Sequence, residues 1–157
     1  MGKVISVNKL GQVVRELKKQ DKKIVLAGGC FDILHPGHVT FLEKAKKAGE
    51  ILFVFLESDK KVQELKGANR PIHTQTMRAK VLSALRVVDY VVRLPYMGSS
   101  KQYDEVVGKI KPDVIAATTK DANIHHQRAA KLVGASFEVV AKVVKEYSTS
   151  RLVDVRF

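Results

Sequence analysis

The sequence predicts a single α/β domain in which a mostly parallel five-stranded sheet is covered by helices on both faces. The chain has 157 residues, the length of one ordinary domain. Hydrophobic residues make up 45% of it and charged residues 28%, as in a globular protein with a buried core. Short apolar runs alternate with amphipathic segments of helical period, which is typical of a parallel sheet with helical crossovers. We find neither a repeat nor a linker, so we expect one domain over residues 1–157.

The predicted strands are short apolar runs that end at glycine, charged or polar residues. Continuous apolar runs of this kind are typical of parallel strands that are buried on both faces. They are Lys23–Ala27, Ile51–Leu56, Tyr90–Leu94, Val114–Ala117 and Phe137–Val140.

The predicted helices lie between these runs. Pro36 suits a first helical turn, where its missing N–H is no loss. Thr74 is expected to cap a helix whose apolar face carries Met77, Val81 and Leu85. The helices span about 8–19, 36–48, 60–65, 74–85, 101–110 and 122–133, and a last one begins near Ser148.

This order of elements predicts a Rossmann-like domain and the position of its site. In open parallel sheets, ligands bind beyond the carboxyl ends of the strands, where the strand order reverses. The loop after the first predicted strand, Gly28–Pro36, is therefore the expected site.

The composition and net charge limit the kinds of molecule that the chain is expected to bind. The net charge of +12 favours anionic partners. Only 6% of the chain is aromatic and tryptophan is absent, which disfavours a nucleic-acid-binding surface. Cys30 is the only cysteine, so an internal disulfide framework is excluded. The run Ile51–Leu56 is too short to span a bilayer, and residues 1–9 lack the apolar segment of a signal peptide. We expect a cytoplasmic protein without membrane association.

The loop after the first predicted strand carries two histidines that flank a proline and a glycine, in the stretch GCFDILHPGH. N–H groups at a helix start attract anionic oxygens, and Gly37 lets the backbone approach them closely. His35 and His38 each add a donor for charge that develops on a phosphoryl group. One alternative is a zinc site of Cys30, His35 and His38, for which no fourth ligand is evident. Another is a pair of histidines that only satisfy hydrogen bonds at a helix start.

The chain resembles the HxGH nucleotidyltransferase superfamily, also called cytidylyltransferase-like, over nearly its whole length. His35–His38 matches the HxGH signature, and Lys66–Pro71 resembles the basic loop of the family. Gln75–Arg78 with Val88-Asp89 resembles its QR…VD segment, and Tyr147–Ser150 the motif that opens its final helix. Among the members, the adenylyltransferase domain of ADP-heptose synthase is the most similar, followed by glycerol-3-phosphate cytidylyltransferase.

The resemblance implies nucleotidyl transfer, in which an acceptor phosphate oxygen attacks the α-phosphorus of a nucleoside triphosphate and pyrophosphate leaves. Mg²⁺ is the implied cofactor, bridging the phosphates and keeping most of its waters. The implied catalytic residues, which hold the phosphates and stabilise their charge, are His35, His38, Lys66 and Arg78. The implied nucleotide-binding residues are Gly29, Cys30, Phe31, Gly37, His38, Ser148 and Thr149.

The expected acceptor contacts include a segment that departs from the family. Its members carry a glycine-rich acceptor segment after the fourth strand, where this chain reads ATTKD at residues 117–121. The residues expected to contact the acceptor are Asp32, Arg70, Thr118 and Lys120.

Plainer roles stay open for several of these side chains. Lys66 and Arg70 could be solvated surface charges, and Arg78 a salt-bridged helix residue. Ser148 could serve only as a helix cap, and Cys30 could be a small buried side chain.

We therefore expect an enzyme that moves a nucleotidyl group from a nucleoside triphosphate, ATP more than CTP, to a phosphorylated sugar or polyol. Alternatives are a glycerol-3-phosphate-type cytidylyltransferase, an FAD synthase-like adenylyltransferase, and a non-catalytic module that binds a nucleotide or nucleic acid. A homodimer could form through apolar positions taken as exposed, which are Val87, Val88, Val91 and Val92.

Overall fold

The computed structural model describes residues 1–120 and 124–142. These residues form six strands and six α-helices. The strands are β1 (Lys3–Ser6), β2 (Ile24–Gly29), β3 (Ile51–Leu56), β4 (Tyr90–Arg93), β5 (Val114–Thr118) and β6 (Ser136–Ala141). The helices are α1 (Leu10–Lys19), α2 (Pro36–Lys47), α3 (Asp59–Lys66), α4 (Gln75–Ser83), α5 (Ser100–Ile110) and α6 (Ile124–Val133).

All neighbouring strands are parallel, in the spatial order β1-β4-β3-β2-β5-β6. The predicted α/β domain with a parallel sheet is therefore confirmed, but the sheet has six strands and not five. The strand missed is β1, which pairs with β4 at the edge of the sheet. Among its four residues only Ile5 is buried, so it lacks the continuous apolar run that predicted the other strands.

Helices cover both faces of the sheet, as predicted. One core lies between the sheet and helices α1, α5 and α6, with Leu10, Ile110 and Ala130 among its buried side chains. The other core lies under α2 and α4, and includes Leu42 and Leu82. Burying a side chain of this size contributes about 1.5–3 kcal/mol, so the two cores supply the main stabilisation of the sheet.

The strand order reverses at β2. This strand pairs with β3 on one side and with β5 on the other, so a crevice opens beyond its carboxyl end. The loop in which the sequence predicts the site follows β2 at this switch point, and α2 begins just after it.

The proposed valine interface is wrong. Val88 is 2% exposed, and Val91 and Val92 are fully buried. Val87 is half-buried and packs against the core under α2 and α4. The reason is the position of β4, which lies between β1 and β3 and is covered on both faces. A homodimer stays a prediction without these residues.

Helix α4 turns a different face inward from the one predicted. Thr74 caps it as expected, since its Oγ1 accepts a hydrogen bond from the Met77 N–H at 3.4 Å. Met77 and Val81, however, are 52% and 49% exposed. The buried face carries Arg78 and Leu82 instead, because Arg78 binds groups at the ends of the central strands.

In the described part of the chain, no helix has the length and apolarity needed to cross a membrane. The helix predicted near Ser148, and with it Ser148 and Thr149, lies outside the described residues.

Candidate active site

The two histidines of the predicted site stack against each other at the start of α2. His35 occupies the N-cap position, and His38 lies in the first turn. Their ring centroids are 3.8 Å apart, with an angle of 23° between the planes. The Nδ1 atom of each ring is buried and has no hydrogen-bond partner among the described residues. Leaving a buried polar atom unpaired costs about 1–3 kcal/mol, so this arrangement favours a ligand that supplies the missing partner.

Burial keeps both histidines neutral at pH 7. It lowers the pKa of His35. It also lowers the pKa of His38 to about 4, helped by the neighbouring His35 and by the charge of Lys66, and opposed by a hydrogen bond with the backbone of Ile33. Each neutral imidazole carries one N–H donor and one acceptor nitrogen. A bound phosphate chain would raise both pKa values, because opposite charge favours the protonated form.

The N-terminus of α2 and Lys66 complete an anion-binding arrangement. No side chain caps α2, and Pro36 stands at its first position. The helix dipole therefore favours an anion at this end, while the N–H groups of His38 and Val39 donate to the carbonyl of His35 at 2.9 and 3.3 Å. Lys66 ends α3 and is exposed, and its charge reaches His38. Of the residues that the sequence predicts as catalytic, the structure thus stacks His35 on His38 and places the charge of Lys66 within electrostatic reach of His38.

The loop before α2 supports the histidines through a tight turn. Phe31 has a φ of 44°, a conformation that is strained for a side chain of this size. Its buried ring lies 5.1 Å from that of His38. A Cβ at Gly29 would approach the Phe31 ring to 3.0 Å, so glycine leaves the space that this turn requires. Gly37 lies next to His38 in the first turn of α2.

Asp32 and Arg70 join this loop to the segment before α4. Arg70 Nε donates to Asp32 Oδ2 at 2.6 Å, and the N–H groups of Ile72 and His73 donate to the same carboxylate at 2.9–3.0 Å. Burial alone would raise the pKa of Asp32, but these hydrogen bonds and the Arg70 charge together lower it. Asp32 is 1% exposed and Arg70 9%, so these predicted acceptor contacts pair with each other and shape the wall of the site.

Arg78 lies fully buried and binds four protein oxygens. Its Nη1 donates to the Cys30 carbonyl at 2.5 Å and its Nε to the His73 carbonyl at 3.0 Å. Its Nη2 donates to the Glu57 carbonyl at 2.9 Å and to Asp59 Oδ1 at 2.8 Å. These contacts match the alternative of a salt-bridged helix residue. Its predicted contact with phosphates stays a prediction.

Gln75, the first residue of α4, binds the ends of two strands. Its Nε2 donates to the carbonyls of Leu56, at 3.0 Å, and Leu94, at 2.8 Å. Leu56 ends β3, and Leu94 follows β4. Gln75 and Arg78, the matched residues of the QR segment, therefore hold together the carboxyl ends of the central strands.

The predicted acceptor residues of the β5 segment lie across the switch point. Thr118 ends β5 and is half-buried, and Lys120 is exposed in the turn that follows. Since β5 pairs with β2, both lie at the edge that carries the histidines. Cys30 directly follows β2 and is half-buried. The zinc alternative is not borne out, because the described residues contain no group of three or more His, Cys, Asp or Glu side chains that could hold a metal ion.

The sequence did not single out one acidic residue at this edge. Glu57 directly follows β3, and its carboxylate accepts a hydrogen bond from Tyr103 of α5. The sequence feature that could have identified Glu57 is its position as a charged residue immediately after the apolar run Ile51–Leu56, at the carboxyl end of a buried strand.

Comparison with known proteins decides the family. The family model described as "Cytidylyltransferase-like" matches residues 26–154. The chain belongs to the cytidylyltransferase-like family. The chain is also similar to relatives named "Bifunctional protein HldE". These are ADP-heptose synthases, the enzymes whose adenylyltransferase domain the sequence resembles. The protein from Helicobacter hepaticus is 37% identical over 152 residues, which is 97% of this chain. The protein from Wolinella succinogenes is 43% identical over 117 residues, or 72% of this chain.

These relatives are much longer, since the chain covers 30% and 23% of the two HldE proteins. Among solved structures, a lipopolysaccharide core biosynthesis protein from Thermoplasma volcanium GSS1 has a TM-score of 0.62 and 27% identity, over 81% of this chain and 99% of that one. A pantoate-beta-alanine ligase from Francisella tularensis has a TM-score of 0.72 at 13% identity, over 99% of this chain and 74% of the ligase, and shares the fold. The predicted enzyme class, nucleotidyltransferase, is confirmed for this member of the family.

Proposed function

We propose that this chain transfers a nucleotidyl group from ATP to the phosphate of a sugar or polyol phosphate. The observation that carries the proposal is the stacked, neutral His35–His38 pair at the uncapped start of α2, which the charge of Lys66 reaches. A phosphate oxygen of the acceptor forms the new bond to the α-phosphorus. The bond from this phosphorus to the oxygen bridging to the β-phosphorus breaks, and pyrophosphate leaves with the electron pair. The acceptor phosphate is already ionised near neutral pH, so no general base is needed.

The residues of the chain act by binding and by stabilising charge. The side chains of His35 and His38 donate to phosphate oxygens, the dipole of α2 favours their negative charge, and Lys66 neutralises it. Arg70 is held by Asp32 at the adjoining wall.

The remaining predicted contacts belong to the same proposal. Ser148 and Thr149 would bind the β- and γ-phosphates, and Thr118 and Lys120 the acceptor. Arg78 has a positioning role, because its guanidinium fixes the strand ends beneath the site.

Mg²⁺ fits this arrangement as a cation carried by the substrate. The described donors at the histidine pair are imidazole nitrogens and an ammonium group, which bind phosphate oxygens, whereas Mg²⁺ prefers oxygen ligands. The triphosphate oxygens and water would therefore hold it, and when bound it would neutralise the charge that the leaving pyrophosphate develops.

The choice of a sugar phosphate as the acceptor and of ATP as the donor is based on the relatives. The Thermoplasma volcanium protein is described by its role in lipopolysaccharide core biosynthesis, which is carbohydrate chemistry. The predicted likeness to ADP-heptose synthase favours ATP over CTP.

Thermal unfolding with each of ATP, CTP, GTP and UTP plus Mg²⁺ tests the donor. Saturation at 100 times Kd adds about 2.7 kcal/mol, which raises the Tm of a chain of this size by roughly 5–10 °C. We expect this shift with ATP and not with CTP, and a smaller ATP-induced shift in His38→Ala, in which Lys66 and the start of α2 still bind the triphosphate. A shift with CTP alone would favour a polyol-phosphate cytidylyltransferase. No shift with any of the four would contradict the proposal and favour a binding module for another ligand.

A further inference from the structure

A carboxylate and a phenol that the proposed mechanism does not use meet at the carboxyl edge of the sheet. The Glu57 N–H donates to the Gly29 carbonyl at 3.2 Å, which fixes Glu57 beside the loop after β2. The Tyr103 hydroxyl lies 2.9 Å from both carboxylate oxygens of Glu57. The pair therefore adjoins the switch point, one strand away from the start of the histidine loop.

The pair lies toward the opposite face of the sheet from the histidines. Along β3, Phe53 and Phe55 point into the core under α1, α5 and α6, and Glu57 continues this alternation toward Tyr103 of α5. The histidines stand at the start of α2, which covers the other face. A ligand in the crevice at the edge can therefore meet the histidines at one end and Glu57 at the other.

The Tyr103 hydroxyl is the hydrogen-bond donor that the described residues place on the Glu57 carboxylate. A carboxylate offers about four lone-pair positions, and the phenol has a single O–H. The pKa of Glu57 is raised, because burial outweighs the Tyr103 hydrogen bond and the charges of Lys61 and Arg78, which lower it. Burial also raises the pKa of Tyr103 far above its usual range, so its hydroxyl stays a donor. Glu57 is half-buried, so part of it stays accessible at the carboxyl edge of the sheet.

The charge of Glu57 decides what it can bind. A carboxylate repels the triphosphate and the acceptor phosphate, so it cannot contact the reacting ends of either substrate. It is not needed as a base, because the attacking phosphate oxygen is already ionised. What it can accept are O–H donors, and the non-phosphate end of a sugar or polyol phosphate consists of them.

We infer that Glu57, oriented by Tyr103, accepts hydrogen bonds from the hydroxyl groups of the acceptor and determines specificity for a polyhydroxylated one. The inference rests on the proposed function. Glu57 and the cationic phosphate site together orient the acceptor, with its phosphate toward the α-phosphorus and its hydroxyl groups toward α5. Tyr103 acts through Glu57 and is a positioning residue.

The test compares Glu57→Gln and Tyr103→Phe with the wild type in steady-state kinetics of pyrophosphate release. The acceptors are glycerol 3-phosphate, ribitol 5-phosphate and mannose 1-phosphate, and propyl phosphate serves as the counterpart that lacks hydroxyl groups. We expect Glu57→Gln to raise the KM of the hydroxylated acceptors roughly 10–100-fold, as for a lost hydrogen bond to a charged group. The nucleotide Kd should not change. Tyr103→Phe should raise KM in the same direction but by less, and the preference for glycerol 3-phosphate over propyl phosphate should shrink in both variants.

Glu105→Gln is the matched control, because Glu105 is an exposed carboxylate on α5, the helix that carries Tyr103. It should leave every constant unchanged. If Glu57→Gln fails to fold, Glu57→Asp, which shortens the side chain by one methylene, should raise the acceptor KM in its place. An unchanged acceptor KM in an active Glu57 variant would overturn this inference alone, and so would a weakened nucleotide Kd. A wild-type chain that releases no pyrophosphate with any of these phosphates would contradict the proposed function, and this inference with it.

Discussion

Replacement of His38 by alanine is expected to lower kcat for nucleotidyl transfer by about 10²–10³-fold, the usual cost of removing one donor that stabilises transition-state charge. The effect on the nucleotide KM should be smaller, because Lys66 and the start of α2 still bind the triphosphate. His35→Ala should behave similarly, since the two rings stack at 3.8 Å. The double variant should lose less than the product of the two single losses, because the rings act as one unit. Initial rates of pyrophosphate release under saturating ATP measure each effect.

Two further variants separate catalysis from packing. Lys44→Ala removes an exposed charge from the same helix and should leave the rate unchanged. His38→Asn keeps an N–H donor close to the position of Nδ1 and should recover part of the rate. If His38→Ala retained wild-type kcat while folding normally, the histidine pair would have no part in the chemistry.

Replacement of Arg78 by methionine is expected to destabilise the fold by about 3–5 kcal/mol, which lowers Tm by roughly 6–20 °C in a chain of this size. Methionine fills a similar volume but leaves the carbonyls of Cys30, Glu57 and His73 without the donor that Arg78 supplies. Arg78→Lys keeps the charge but cannot reach all the acceptors, so it should recover only part of the loss. Thermal and denaturant unfolding measure both variants.

Arg86→Met is the matched control for this substitution. Arg86 is exposed just after α4, so its replacement should change stability by less than about 0.5 kcal/mol. If Arg78→Met kept its stability and lost only activity, Arg78 would contact the phosphates, as the sequence resemblance implies, and the positioning role would be wrong.

Local signals explain what the sequence could predict. The stretch GCFDILHPGH contains the end of β2, the turn and the start of α2, so the position of His35 and His38 follows from neighbouring residues alone. The apolar strands were predictable for the same reason. β1 was not, because its partner β4 lies far along the chain and its own residues bury little.

Long-range pairing explains most of what was missed. Asp32 and Arg70 were each predicted to face the acceptor, but the fold joins them to each other across 38 positions. Arg78 lies on a helix whose apolar positions Met77 and Val81 are exposed, because its guanidinium satisfies strand-end carbonyls that no periodicity reveals. The role inferred for Glu57 depends on its hydrogen bond with Tyr103 of α5, and the two residues lie far apart in the sequence.

The central claim is transfer of a nucleotidyl group to an acceptor phosphate, and the most direct measurement is the identity of the product. The wild-type chain is incubated with ATP, Mg²⁺ and each sugar or polyol phosphate, and the mixture is followed by ³¹P nuclear magnetic resonance and mass spectrometry. We predict pyrophosphate together with a new diphosphate diester that contains AMP and the acceptor, absent in the double variant of His35 and His38. Release of ADP or inorganic phosphate without that diester would contradict nucleotidyl transfer.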